Sequence, residues 1–146
     1  MAEYTTSIEI EAAPDAVFDY LVTEAGMTAW MGQHASLDPR AGGGFAVDIA
    51  GYPVRGRYLV VERPRRVVIS WGMAGSQDLP PGASTVTFTL VPTPRGTRVE
   101  LHHTDLPDTE LAGHADGWTH FLPRLSVVAS GGDAGPDDWI PIGART

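Results

Sequence analysis

Two histidines are the residues of this chain best suited to chemistry near neutral pH. In the alternating run 97–103, Val99, Leu101 and His103 share one face, and His102 lies on the other. The apolar face is expected to pack inward, so His103 points into the protein and His102 toward solvent. A half-buried imidazole can anchor a ligand or act as a general acid or base.

The second histidine, His114, lies in a stretch with helical periodicity. The spacing predicts one long helix over Asp108–Ala129, with Asp108 as its N-cap. His114 borders the apolar stripe, so we expect it to meet His103 at the mouth of a cavity. The stripe consists of Leu111, Ala115, Trp118, Leu122, Leu125 and Ala129. A structural role is the alternative for both histidines, since a hydrogen bond between strand and helix satisfies a buried imidazole equally well.

Other chemistries find little support in the sequence. The chain has no cysteine, which removes thiolate ligands and cysteine nucleophiles. Adjacent strand histidines face opposite ways, and His114 and His120 are six residues apart, which fits one helical face poorly. The glycines at 42–44 precede a strand and not a helix, so they do not form a phosphate loop. We therefore expect no metal and no cofactor.

Length and charge bound the remaining possibilities. The 146 residues suit one domain, predicted over 1–130, followed by a tail over 131–146. The formal net charge of −8 argues against nucleic acid as a partner. No apolar run is long enough to span a bilayer, and no signal peptide is visible, so a cytoplasmic location is expected.

The elements that must position the histidines can be read from periodicity. Alternation predicts a strand over 5–11, and Pro14 favours the start of a short helix ending near Val22. A second short helix is expected over Glu24–Trp30, and a loop over 32–41. Further strands are predicted around Phe45–Ile49, Val54–Glu62, Val67–Trp71, Thr85–Leu90 and 97–103. The sum is an α+β fold: a curved antiparallel sheet of about six strands closed by the long helix.

Inward positions of this sheet and helix are the candidate ligand-binding residues. They form an apolar lining with a few polar groups, which is typical of small-molecule sites. The alternative is that they fill the interior and leave no site. The candidates are Phe45, Val47, Tyr58, Trp71, Phe88, Leu101, His103, His114, Trp118 and Leu122. Tyr58 depends on a β-bulge, because its strand carries apolar residues on both faces.

An ordered set of short motifs runs through the chain from residue 3 to about 129. The stretches are Ala12-Ala13-Pro14-Asp15-Ala16-Val17-Phe18, Trp30-Met31-Gly32, Gly43-Gly44-Phe45, Gly56, Pro64, Arg66-Val67, Ser70-Trp71, Gly96-Thr97-Arg98-Val99-Glu100-Leu101, His103, His114, Gly117-Trp118 and Leu122 to Leu125. In this order they resemble the START-like or SRPBCC superfamily, and within it the family related to the activator of the heat-shock protein 90 ATPase.

The resemblance implies a helix-grip (START/Bet v-like) fold with a cavity between the sheet and the C-terminal helix. The function it favours is binding of a small apolar or amphipathic molecule. Two alternatives stay open: a protein-interaction module that acts on a chaperone, and a cyclase- or hydrolase-like enzyme that uses His103 or His114.

The predicted tail is polar apart from three large apolar side chains, Trp139, Ile140 and Ile142. Large apolar residues in a tail are usually buried against something. We expect them to cover either the domain itself or the second subunit of a homodimer.

Overall fold

The computed structural model of the protein describes residues 1–142, so the last four residues of the predicted tail lie outside the described part. Seven strands and three helices follow one another within residues 1–142. The strands are β1 Ala2–Ile10, β2 His34–Leu37, β3 Gly44–Ile49, β4 Tyr52–Glu62, β5 Arg66–Met73, β6 Ser84–Thr93 and β7 Gly96–Leu106. The helices are α1 Pro14–Val22, α2 Glu24–Trp30 and α3 Asp108–Ala129.

The strands form one curved antiparallel sheet in the order β1-β7-β6-β5-β4-β3-β2. Every neighbouring pair along β2 to β7 is consecutive in sequence, and β1 closes the other edge by pairing with β7. Helix α3 packs against the sheet through buried side chains of its second half. The predicted α+β helix-grip fold is confirmed.

The sheet has one strand more than predicted, because 34–37 is β2 and not part of a loop. It pairs with β3 through Ala35 opposite Val47 and Leu37 opposite Phe45. The segment is only four residues long and has little apolar alternation of its own. Its strand geometry comes from pairing with β3, which local periodicity does not reveal.

The two short helices occupy the predicted positions. Pro14 is the first residue of α1, where its missing N–H would have no partner in any case. Thr23 separates the helices and caps α2, since its side chain accepts a hydrogen bond from the backbone N–H of Gly26 at 3.1 Å. Gly26 is required at that position because a Cβ there would lie 2.6 Å from the carbonyl oxygen of Asp19.

Helix α3 has the predicted bounds, but its buried face begins later than predicted. Pro107 takes the N-cap position, and Asp108 is the first helical residue. Leu111, Ala115 and Ala129 are only partly buried, while Phe121 and Val128 join the core. The first turns of α3 border a pocket and not the packed interior, which explains the shift. No helix among residues 1–142 is long and apolar enough to cross a membrane.

Candidate binding pocket

A pocket of about 130 Å³ lies between the first half of α3, the end of β5, the loop over 74–83 and the C-terminal tail. Its walls are mainly apolar. Aromatic side chains from several parts of the chain provide much of the lining: Tyr52, Trp71, Trp118, Phe121 and Trp139. Aliphatic side chains, including Met31, Ile49, Val54, Met73 and Leu79, complete it. His114, Glu110 and Tyr52 are the titratable residues with acceptor groups among the described residues of this wall.

The loop after β5 reaches the pocket because of a glycine. At Gly72, a Cβ atom would lie 1.8 Å from the carbonyl oxygen of Pro80, so only glycine allows the loop to approach the strand this closely. The approach places Leu79 in the pocket wall, where it is almost fully buried. The backbone bond from the Met73 N–H to the Leu79 carbonyl, at 2.9 Å, holds the loop in place.

Strand alternation positions the inward residues as predicted. Trp71 on β5 lies opposite Ser84 on β6, and Val86 on β6 lies opposite His103 on β7. His103 is fully buried, and the neighbouring His102 on the same strand is exposed. The ring of Trp118 on α3 lies 5.2 Å from that of Trp71 and thus closes the interior from the helix side.

His103 belongs to a buried hydrogen-bond chain that fixes its tautomer. Trp118 donates its Nε1–H to His103 Nδ1 at 3.1 Å, and indole can only donate. Nδ1 must therefore be the acceptor, and the ring proton sits on Nε2. His103 Nε2 lies 2.8 Å from Ser84 Oγ and donates to it, while Ser84 donates to the carbonyl of Trp71 at 2.8 Å.

The environment keeps His103 neutral. Burial lowers the pKa of His103 to about 3, with smaller contributions from His114 and His102. Both ring nitrogens are engaged, and no part of the side chain reaches solvent. The hydrogen bonds of His103 therefore connect β7 to β6 and to α3, and the imidazole has no free lone pair for a substrate.

His114 has the complementary tautomer and lies in the pocket wall. Its Nδ1 donates to the backbone carbonyl of Glu110 at 2.9 Å, one turn earlier on α3. Its Nε2 therefore carries a lone pair, which accepts the Nε1–H of Trp71 at 3.3 Å. Burial lowers the pKa of His114, an effect larger than the opposing contribution of the Glu110 carbonyl. The rings of His103 and His114 lie 5.0 Å apart and nearly perpendicular.

The predicted ligand-binding residues divide into two groups. Trp71, His114 and Trp118 line the pocket. The others lie behind it, in the close-packed core: Phe45, Val47, Tyr58, Phe88, Leu101, His103 and Leu122. Tyr58 points inward as predicted, next to a register shift in the β4–β5 pairing, and it donates to the Leu21 carbonyl at 2.9 Å.

The C-terminal tail supplies the part of the pocket wall that sequence reasoning missed. Trp139 stacks on His120 with ring centroids 5.8 Å apart and contacts the Phe121 ring at 5.0 Å. Asp137 is 2.9 Å from His120 Nε2, and Arg124 donates to the carbonyls at 134 and 135. The tail therefore docks on its own domain through Trp139, as one of the two expected options proposed, while Ile140 and Ile142 remain partly exposed.

No group of three or more His, Cys, Asp or Glu side chains within residues 1–142 is arranged to hold a metal ion. The site is an apolar recess whose wall also includes the neutral imidazole of His114, the phenol residue Tyr52 and the carboxylate residue Glu110. A curved sheet, a closing helix and a recess between them define a member of the START-like, or SRPBCC, superfamily.

Within that superfamily, the chain belongs to the family described as Activator of Hsp90 ATPase homolog 1-like protein, whose model matches residues 11–130. No functionally curated protein has a significant sequence match to the chain.

Solved structures agree with this assignment. An AHSA1-like protein from Rhizobium etli is 35% identical, with a TM-score of 0.74, over 95% of this chain and 88% of that one. An HSP90 activator from Plasmodium falciparum is 22% identical, with a TM-score of 0.72, over 86% of this chain and 94% of that one. The Aha1 protein from Colwellia psychrerythraea, solved as a dimer, is 21% identical, with a TM-score of 0.77, over 92% of this chain and 100% of that one. The last two show similarity of fold.

Proposed function

We propose that this protein binds a small apolar or amphipathic molecule in the pocket between its sheet and α3. The observation that supports the proposal best is the apolar recess of about 130 Å³ between Trp71, Trp118 and Trp139. Concave, mainly apolar sites with few polar groups are typical ligand sites. Family membership supports a ligand-binding or chaperone-directed role only in general terms.

The volume bounds the size of the molecule. Sites for drug-sized ligands span roughly 300–1,000 Å³. An engineered cavity of about 150 Å³ in another protein holds benzene. A pocket of about 130 Å³ therefore suits a single ring or a short branched chain, and a long lipid chain would have to extend out of the open recess or displace part of its wall.

Catalysis by the histidines has less support than binding. His103 uses both ring nitrogens in the chain that joins Trp118 to Ser84, and it is fully buried. Ser84 Oγ accepts a hydrogen bond from His103 Nε2–H and donates one to a backbone carbonyl, whereas an activated nucleophile must donate to its base. The lone pair of His114 Nε2 accepts the Trp71 Nε1–H at 3.3 Å, and a ligand donor can bind there by displacing that N–H.

The test is a ligand screen of the full chain. Small aromatic and branched aliphatic molecules are added while the melting temperature and the ¹H–¹⁵N amide spectrum are recorded. We expect at least one of them to raise the melting temperature in a concentration-dependent manner. Amide shifts are expected around Trp71, His114 and Trp118. A protein that responds to no molecule in the screen by either measurement contradicts the proposal.

Stimulation of a chaperone ATPase is the second candidate, and the family description favours it. The test adds the purified chain to a heat-shock protein 90 ATPase assay. A dose-dependent rise in the ATPase rate supports this function, and an unchanged rate at a large excess of the chain contradicts it.

A homodimer is a separate proposal, motivated by the dimeric relative from Colwellia psychrerythraea, and sedimentation analysis tests it.

A further inference from the structure

The geometry points to a narrower ligand class: we propose a neutral single-ring aromatic molecule with a phenol-type hydroxyl that donates its hydrogen bond to His114 Nε2. The inference rests on the proposed function, because it concerns the same pocket. It follows from three features: the size of the recess, the acceptor that His114 presents, and the charge of the wall.

The aromatic character of the ligand follows from size and lining. A recess of about 130 Å³ matches one six-membered ring, and its walls include the rings of Trp71, Trp118 and Trp139. Aromatic pairs gain about 0.5–1.5 kcal/mol beyond area burial when rings meet edge to face or offset. A planar ring is therefore favoured over a branched aliphatic group of equal volume.

The hydroxyl follows from the tautomer of His114. Because Nδ1–H is bonded to the Glu110 carbonyl at 2.9 Å, the only acceptor that the ring can offer is Nε2. The present donor to that atom, Trp71 Nε1–H, lies at the long distance of 3.3 Å. A ligand hydroxyl that displaces the Trp71 N–H can donate to His114 Nε2, and with a rotation of the Trp71 ring it can also accept from the freed Nε1–H, so both groups keep a partner.

The neutral charge follows from the composition of the wall. Glu110 lines the recess, and none of the described lining residues is Lys or Arg. A carboxylate ligand would thus be desolvated beside a like charge without a counter-ion, which is costly. The formal net charge of −8 also disfavours the approach of an anion.

The decisive experiment compares four probes on the full chain by calorimetry and by amide shift titration: phenol, toluene, benzoate and tetramethylammonium. We expect phenol to bind about three- to tenfold more tightly than toluene, the effect of one net hydrogen bond. Benzoate should bind more weakly than either. Tetramethylammonium tests whether the aromatic wall and Glu110 hold a cation instead. Tighter binding of that ion than of phenol overturns the inference, as does equal binding of phenol and toluene.

Two variants assign the preference to His114. His114→Leu removes the acceptor, and we expect the ratio of phenol affinity to toluene affinity to fall to about one in this variant, whatever its absolute affinity for toluene. His114→Gln places an amide oxygen near the former Nε2 and should restore part of the preference. A phenol preference that survives His114→Leu overturns the assignment.

A measurement on the unmodified protein guards against misfolding of the variants. A long-range ¹H–¹⁵N spectrum of the imidazoles should show the His114 Nε2 resonance shift on addition of phenol and not of toluene. Equal shifts with both molecules contradict the inference. Toluene binding without any phenol preference refutes this inference and leaves the proposed function intact, whereas absence of binding by all four probes and by the wider screen refutes both.

Discussion

Trp118 on α3 donates its indole N–H to Nδ1 of His103 on β7 at 3.1 Å, and both side chains are buried. This bond joins the closing helix to the sheet inside a mainly apolar interior. It also determines the tautomer of His103, which then donates to Ser84 at 2.8 Å. The pair is therefore a structural connection immediately behind the pocket wall.

Replacing His103 by leucine should destabilise the protein by about 1–3 kcal/mol, because the Trp118 N–H is left buried without an acceptor. Urea unfolding followed by circular dichroism measures the effect. The control is His102→Ala on the exposed face of the same strand, which should change the free energy of unfolding by less than about 0.5 kcal/mol. Equal effects of the two substitutions would show that the hydrogen bond has no structural role.

The stability of the protein should fall on mild acidification. His103 has a folded-state pKa of about 3, and burial also lowers that of His114, whereas the unfolded-state value is near 6.5. Below pH 6.5 the unfolded chain therefore binds more protons than the folded chain. The free energy of unfolding then decreases by up to about 1.4 kcal/mol per pH unit for each such histidine.

The informative window for this prediction is about pH 6.5 to 5, below the unfolded-state pKa of histidine and above the folded-state pKa of His103. Glu110 on α3 and His102 on β7 are the other titratable groups near the pair. Unfolding curves of the wild type and of His103→Leu should diverge less at pH 5 than at pH 7.5, because the variant lacks one of the two protonation penalties. A constant difference between them across that range would exclude the linkage.

Filling the pocket should abolish ligand binding without loss of stability. Gly113 lines the recess, and a Cβ there meets no atom within 4 Å. Gly113→Leu should weaken binding of phenol at least tenfold, and the better helix propensity of leucine should raise stability by up to about 1 kcal/mol. Ala112→Leu, one residue earlier on the exposed face of α3, is the matched control and should bind normally. Unaltered binding by Gly113→Leu would place the ligand elsewhere.

Removing Trp139 should open the pocket on the tail side. Trp139→Ala deletes the ring that stacks on His120 and contacts Phe121, so we expect a stability loss of about 1–3 kcal/mol and weaker binding of single-ring ligands. Ile142→Ala in the same tail removes a partly exposed side chain and should leave both properties nearly unchanged. Calorimetry with toluene gives the affinity, and thermal unfolding gives the stability. If Trp139→Ala binds toluene like the wild type, the tail is not part of the site.

Strand alternation and helical periodicity in the sequence predicted most of the fold. Alternation over 97–103 correctly oriented His103 inward and His102 outward, because successive strand side chains point to opposite faces. Helical periodicity placed α3 at Asp108–Ala129. The strand β2 was not predicted, because its four residues become a strand through pairing with β3 and their own pattern does not indicate that pairing.

Which inward residues line the pocket could not be derived in the same way. The same strand and helix patterns predicted aromatic and aliphatic lining residues. Trp71 and Trp118 do line the pocket, whereas Phe45, Phe88 and Leu101 pack in the core. Periodicity reports the face on which a side chain lies. It does not report how much of the space opposite that face other side chains fill.

The amino-acid sequence alone specified the order of the elements other than β2, the buried faces of the predicted strands, the extent of the closing helix and the family, since these depend on short-range spacing and on ordered motifs. The tertiary structure decided the rest: the tautomers of His103 and His114, the volume of the recess, and the place of Trp139 in its wall. Each of these depends on contacts between residues far apart in the chain, such as the Trp71–His114 bond across 43 positions. Such partners are determined by long-range packing, and they cannot be predicted from local propensity.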